Sequence, residues 1–227
     1  MAVRLSRNFV LRKLHQLSGI VPLGAFLMEH LYTNSKAAHP TRGVADFNQA
    51  VSDLQAIPYV LFIEIGLIFI PLLYHAVYGL FITWETRPNN LSYPYPRNWF
   101  YTIQRATGII LFFFILFHLL NFRFGLIPGL NERAVAHYPN EAYDIVSREF
   151  QMLPILIIYF IGIASTVWHF ANGIWLFLVD WGIVIGGRAQ RVTGYACIGF
   201  GIVLFAFWIN VTVAFLRPGG LLGGLLY

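Results

Sequence analysis

The stretch 152–179, MLPILIIYFIGIASTVWHFANGIWLFLV, decides how the rest of the chain is read. It lies between Glu149 and Asp180 with no Asp, Glu, Lys or Arg inside it. As a helix rising about 1.5 Å per residue it spans the roughly 30 Å of a bilayer's hydrocarbon core. The interval between Arg191 and Arg217 repeats the pattern. Of 227 residues, 58% are hydrophobic and 11% charged, and the mean hydropathy is +0.65, too apolar for a domain that must face water. The chain is therefore expected to form one all-α membrane domain, 1–227, with five transmembrane helices near 15–35, 57–84, 99–122, 152–179 and 194–216.

The residue inventory removes several chemistries. The single cysteine, Cys197, excludes a protein-held iron–sulfur cluster, a disulfide scaffold and the C-x-x-C-H attachment of covalent haem; it reads as a small core residue. No Gly-rich phosphate loop follows a strand-like run, so flavin or nucleotide chemistry belongs on another chain. Arg4, Arg7, Arg12 and Lys13 precede an apolar stretch as in a signal peptide, but Pro22, Glu29 and His30 interrupt it. The expectation is a retained first helix with a basic anchor.

Charge sets an orientation. With the N-terminus inside, the inner segments carry Arg4, Arg7, Arg12, Lys13, Arg87, Arg97, Arg105, Arg188 and Arg191 against Glu85 and Asp180, while outer basic and acidic residues balance. That bias predicts N-inside, C-outside, with the basic inner face as the docking surface. The 85–98 connection is rich in Pro and Asn, as in a surface turn, and 123–151 is expected to hold a short surface helix at 139–150. Three inward helix starts share a hydroxyl–glycine pair, Ser18-Gly19, Thr107-Gly108 and Thr193-Gly194. Such a pair lets a neighbouring helix or a flat cofactor approach the backbone.

His39 and His137 lie in outer connections and His15 at the inner end of the first helix; four histidines lie within the membrane. His30 is six residues before Lys36 and His118 five before Arg123, which puts both roughly 8 Å below the outer boundary. His75 is ten residues before Glu85 and His169 eleven before Asp180, roughly 15 Å above the inner one. The result is two pairs at two depths, separated by about 10 Å, each pair drawn from two helices. Two bis-histidine b-type haems need that arrangement. One zinc or copper ion would need its ligands to converge on a point, and a proton-coupled transporter would not pair histidines by depth. Gly79 and Gly173 follow His75 and His169 by four residues, one turn along the same face, where a porphyrin edge would find room.

The strings LHQLSGIVPLGAFLMEHL (14–31), FIPLLYHAVYG (69–79), RNWFYTIQRATGI (97–109) and STVWHFANGIW (165–175) closely resemble the di-haem cytochrome b membrane anchors of Bacillus-type succinate dehydrogenases, relatives of fumarate reductase anchors. The resemblance runs in order along nearly the whole chain and is weakest in 123–150 and after Arg217. It implies a first-four-helix bundle around two stacked haems, His30 with His118 holding the distal one and His75 with His169 the proximal one, as the depths already suggest. It further implies a flavoprotein subunit and an iron–sulfur subunit on the cytoplasmic face of a bacterial membrane, and (mena)quinone as electron acceptor. A cytochrome b serving a hydrogenase or formate dehydrogenase is the alternative. His15, Arg105 and Arg191 are expected near the inner haem's propionates. Glu64, eleven residues before His75 and so near the distal pair's height, is the candidate proton donor for quinone, with Glu29 as its competitor.

Overall fold

A computed structural model describes residues 7–130 and 133–222; Arg4, Glu132 and the Arg7 side chain of the charge balance lie outside the described residues. The helices are α1 (Arg7–Ile20), α2 (Pro22–Ser35), α3 (Gly43–Gln55), α4 (Val60–Ile63), α5 (Ile70–Glu85), α6 (Pro96–His118), α7 (Ala142–Phe150), α8 (Leu153–Asp180) and α9 (Gly187–Ala214). A π-helical stretch, Glu64–Phe69, joins α4 to α5, and another, Leu119–Arg123, prolongs α6.

Four stretches are long and apolar enough to cross a membrane: Val60–Glu85, Pro96–Arg123, Leu153–Asp180 and Gly187–Ala214. They match four expected spans, the last beginning seven residues earlier than the charge pattern suggested. The first expected span is instead two consecutive 14-residue helices, α1 and α2, meeting at Val21. Pro22 has no N–H to donate and its ring crowds the carbonyl of Ser18, which breaks the ladder there. The chain continues through Val21 N–H to the Leu17 carbonyl at 2.9 Å and Ala25 N–H to the Val21 carbonyl at 3.1 Å. Each half is only about 20 Å long. Pro71 has a related effect: it sits at the start of α5 directly after the π-helical stretch, where its missing donor forces a local change of hydrogen-bond register.

The helix expected at 139–150 is present as a short 3₁₀ turn followed by α7. Nothing in the hydropathy suggested α3, an amphipathic helix that buries Phe47 and Val51 and leaves its other face polar.

The chain divides into two compact units, and each is built from three chain segments. The first comprises Met1–Leu27, Phe62–Ile109 and Thr166–Gly201. Here α1 packs along α5, and the Tyr74 hydroxyl donates to the Leu11 carbonyl at 2.8 Å. The start of α1 is tied to the end of α8, where Lys13 Nζ donates to the Asp180 carbonyl and Gln16 Nε2 to Asp180 Oδ2, both at 2.6 Å. The second unit comprises Met28–Leu61, Ile110–Ser165 and Ile202–Tyr227. Its core is aromatic: Phe215 meets Phe47 at 5.0 Å and Phe150 at 5.8 Å between ring centres. The Tyr143 hydroxyl donates to the Ala214 carbonyl at 2.7 Å.

No residue of the most apolar window of Val60–Glu85 is buried within the chain. Leu73, Ile70 and Phe62 are all more than half exposed. An apolar helix left bare in this way has lipid as its solvent.

Candidate metal centres

The first unit brings His75 of α5 and His169 of α8 together, with ring centres 6.2 Å apart and planes crossed at 83°. An iron held between two imidazoles needs about 2 Å for each metal–nitrogen bond and about 1 Å more to each ring centre, a span of roughly 6 Å. The seats of the two rings are built alike. His75 Nδ1 lies 2.9 Å from the His15 carbonyl and His169 Nδ1 3.1 Å from the Gln104 carbonyl. An imidazole that donates from Nδ1 to a main-chain carbonyl presents Nε2 as its free ligating atom.

Three residues beyond each of those carbonyls stands a hydroxyl, and four beyond stands a glycine. Ser18 Oγ is 3.4 Å from His75 Nδ1, and Thr107 Oγ1 is 3.4 Å from His169 Nδ1. A Cβ on Gly19 would fall 2.4 Å from His75 Cε1, and one on Gly108 would fall 3.2 Å from His169 Cε1. The hydroxyl–glycine pairs of the sequence are thus histidine seats in α1 and α6. The third, Thr193-Gly194, does something else, because a Cβ on Gly194 would meet Trp175 Nε1 at 3.4 Å.

Gln104 closes the seat from its own side. Its Nε2 donates to the His169 carbonyl at 2.9 Å and its Oε1 accepts from Asn172 at 2.8 Å, so the residue that receives the imidazole proton also pins the backbone that carries the ring. Sequence reading missed Gln104 as a site residue because a lone glutamine at a helix start has no distinguishing spacing. The space at Gly79 is taken by the His15 ring, 3.0 Å from where its Cβ would be, and Gly173 faces Gln104 Nε2 at 3.5 Å. His15 itself stacks on His75 at 4.1 Å and 13°.

Polar atoms left over around this pair fit a flat ligand that carries acid groups. Arg105 Nη2 donates to the carbonyls of Thr83 and Thr86 at the end of α5, yet its Nε and Nη1 are buried without a hydrogen-bond partner, as are His15 Nδ1 and Trp168 Nε1. Buried donors in this state call for an acceptor. Arg191 is exposed near the start of α9, its guanidinium 3.7 Å from where a Gly187 Cβ would stand.

In the second unit His30 of α2 and His118 of α6 stand 5.7 Å apart between ring centres, again at 83°. Their setting differs. His118 Nδ1 is 3.0 Å from the Tyr159 hydroxyl rather than from a carbonyl. Phe114, Phe122 and Tyr159 pack around His118, and Gly162 makes room for Phe114, since a Cβ there would lie 2.4 Å from that ring. Trp208 lies 5.9 Å from His30, with its indole N–H buried and unpartnered. On the same turn as His30, Glu29 accepts from Thr33 Oγ1 at 2.6 Å, and Asn34 Nδ2 donates to the His30 carbonyl at 2.7 Å. Glu64, a residue of the first unit, opens the π-helical stretch before α5 and is half-buried. Among the described residues the metal-binding side chains come in twos, with no cluster of three or more His, Cys, Asp or Glu placed to hold an ion. That is the donor set expected of an iron whose other four ligands belong to a porphyrin.

Comparisons with known proteins agree in direction. No solved structure matches the chain. The succinate dehydrogenase cytochrome b558 subunit of Bacillus subtilis (strain 168) is 35% identical over 210 residues, covering 92% of this chain and 98% of that one. The family described as succinate dehydrogenase/fumarate reductase transmembrane subunit matches residues 85–208. These matches favour a succinate dehydrogenase anchor over a hydrogenase or formate dehydrogenase cytochrome. With Val60–Glu85, Pro96–Arg123, Leu153–Asp180 and Gly187–Ala214 long enough to span a bilayer and histidines meeting in pairs, the chain belongs to the succinate dehydrogenase/fumarate reductase transmembrane subunit family.

Proposed function

We propose that this chain anchors a succinate dehydrogenase complex in the bacterial cytoplasmic membrane and carries electrons from a docked iron–sulfur subunit, itself supplied by a flavoprotein subunit, through two b haems to menaquinone. The observation that carries the reading is the recurrence of one geometry, two imidazoles from separate helices 6.2 Å apart in one unit and 5.7 Å apart in the other. Bound between such a pair, a haem supplies a low-spin one-electron carrier.

The chain's own residues do the rest. The His15 and Gln104 carbonyls fix the tautomer and tilt of His75 and His169, and the Tyr159 hydroxyl holds the tilt of His118. Arg105 and His15 offer their spare donors to the proximal haem's propionates, with Arg191 as a further basic group on that side. α1 and α2 together make the fifth crossing, so the termini lie on opposite sides; the basic bias of the inner segments puts the N-terminus inside and the C-terminus outside, and the inner arginines form the docking face for the partner subunits. Glu64 holds a proton for quinone reduction, which consumes two protons with its two electrons.

Haem content and low-temperature electron paramagnetic resonance of the purified complex test this reading. Two b haems per chain, both low-spin, are expected. One haem or none would overturn it.

A further inference from the structure

We propose that Glu149 is a proton-binding site coupled to the electron on the His30/His118 centre, linked to it through the buried polar relay of Asn121 and Tyr159. The proposal rests on reading that pair as a haem site.

Glu149 belongs to α7, outside the membrane-spanning helices. α7 turns Asp144 and Arg148 to solvent and buries Glu149, which is 1% exposed. A carboxyl in that position is normally paired. This one is not: Asn121 Nδ2 donates to its Oε2, while its Oε1 meets no partner. Asn121 is itself fully buried, its Oδ1 without a hydrogen-bond partner, and it stands one turn after His118 at the π-helical end of α6, near the Tyr159 phenol. The phenol in turn stands 3.0 Å from His118 Nδ1.

Among the charged groups on the elements around Glu149, Asp144, Arg148, Asp53, Glu141, His137 and Arg217 are exposed, and Arg123 and Asp46 are half-buried. None of them forms an ion pair with Glu149. Exposed charges are screened over about 8–10 Å, so the carboxyl answers chiefly to its burial and to the relay. Burial pushes its pKa above the ordinary carboxyl value, with the Asn121 hydrogen bond working the other way.

The His75/His169 centre makes the contrast. Its two Nδ1 atoms face main-chain carbonyls, which cannot titrate. For each electron that arrives at the His30/His118 centre, one proton from solvent adds to a Glu149 oxygen and turns the carboxylate into the acid. When the electron leaves for quinone, that O–H bond breaks and the proton returns. Glu149 and exposed Arg148 are consecutive residues of α7, about 100° apart around its axis, so the proton enters around the flank of that helix.

Potentiometric titration of both haems in the intact complex, at several pH values, tests the coupling. The distal midpoint is expected to fall with rising pH, by at most 59 mV for each tenfold drop in proton concentration. Glu149→Gln should flatten that slope and leave the proximal haem unchanged, Glu149→Asp should preserve it, and Tyr159→Phe should weaken it. The slope surviving in Glu149→Gln, or disappearing at both haems together, would overturn the proposal. Should Glu149→Gln load poorly, the wild-type infrared difference spectrum decides: a carboxylic C=O band that grows on reduction of the distal haem is expected, and its absence overturns the coupling. A wild type lacking the His118 haem would instead overturn the functional reading itself.

Discussion

Replacing Gly19 by Ala adds one methyl group to α1 and should cost the protein its proximal haem. The new Cβ would lie 2.4 Å from His75 Cε1 and 2.9 Å from its Nδ1, closer than any real contact, so the ring must move. Moving it breaks the 2.9 Å bond to the His15 carbonyl. Overpacking of this kind costs about 1–3 kcal/mol and the lost hydrogen bond about 1 kcal/mol. The helix gains back about 1 kcal/mol from losing a glycine. The net penalty of about 1–3 kcal/mol falls on the haem-binding conformation, which weakens haem retention roughly 5- to 150-fold. Gly108→Ala meets His169 Cε1 at 3.2 Å and should show a smaller effect in the same direction. Gly199→Ala meets nothing within 4 Å and should leave retention unchanged. Haem transfer to excess apomyoglobin, followed for each haem by its low-spin resonance, ranks the three variants. Equal retention in Gly19→Ala and wild type would refute the seat.

Alanine at any one of His30, His75, His118 or His169 should abolish or convert one low-spin signal and spare the other, whereas His39→Ala and His137→Ala should spare both; electron paramagnetic resonance reads this directly. Glu64→Gln should leave both haems and succinate oxidation with a soluble acceptor intact, while lowering quinone reductase activity at least roughly tenfold, about 1.4 kcal/mol of barrier; unchanged quinone turnover would retire Glu64. Arg105→Gln removes a cation from the carbonyls of Thr83 and Thr86 and should destabilise the end of α5 by about 1.5–3 kcal/mol, read as a lower thermal midpoint in detergent. Glu149→Gln should raise that midpoint at neutral pH. Burial favours the neutral carboxyl, so the wild type's stability is full below the unfolded pKa and declines as pH rises through the higher folded one. The variant's advantage should therefore vanish in acid, and an advantage that grows toward low pH would contradict the sign.

How much was legible in the sequence depended on periodicity and bulk. Uncharged runs between fixed charges located the spans Val60–Glu85, Pro96–Arg123, Leu153–Asp180 and Gly187–Ala214 within a few residues, save the start of the last, seven residues off, because the bilayer demands length and apolarity and little else. Helix-rise arithmetic on the distance from each histidine to the nearest charge gave two depth classes, and His75 meets His169, as His30 meets His118, in the structure. What stayed hidden was local. α3 is polar on one face and lies in a connection, so no hydropathy window reveals it. The break at Val21 follows from one missing N–H at Pro22, a detail that a helix-length average absorbs.

The hydroxyl–glycine repeats show most clearly where sequence reading stops. Ser18-Gly19 and Thr107-Gly108 stand out as a pattern, but the same pattern at Thr193-Gly194 abuts Trp175, and sequence alone cannot separate seat from packing. The separating feature is the carbonyl four residues before each glycine, since every residue supplies one and only the fold decides which of them faces an imidazole. Glu149 carries the opposite lesson. In the sequence it is one of six acidic residues on the outer side, and its formal charge counts toward an orientation. Folded, it sits on the buried face of α7 against Asn121, 28 residues away in the chain, where its charge is a liability rather than an anchor. A charge count treats all carboxylates as solvated, so a residue that departs from that assumption carries no mark in composition. The amphipathic spacing of α7, with Tyr143, Ile145, Val146 and Phe150 buried, was the available signal, because it puts position 149 on the apolar side of the helix beside Ile145.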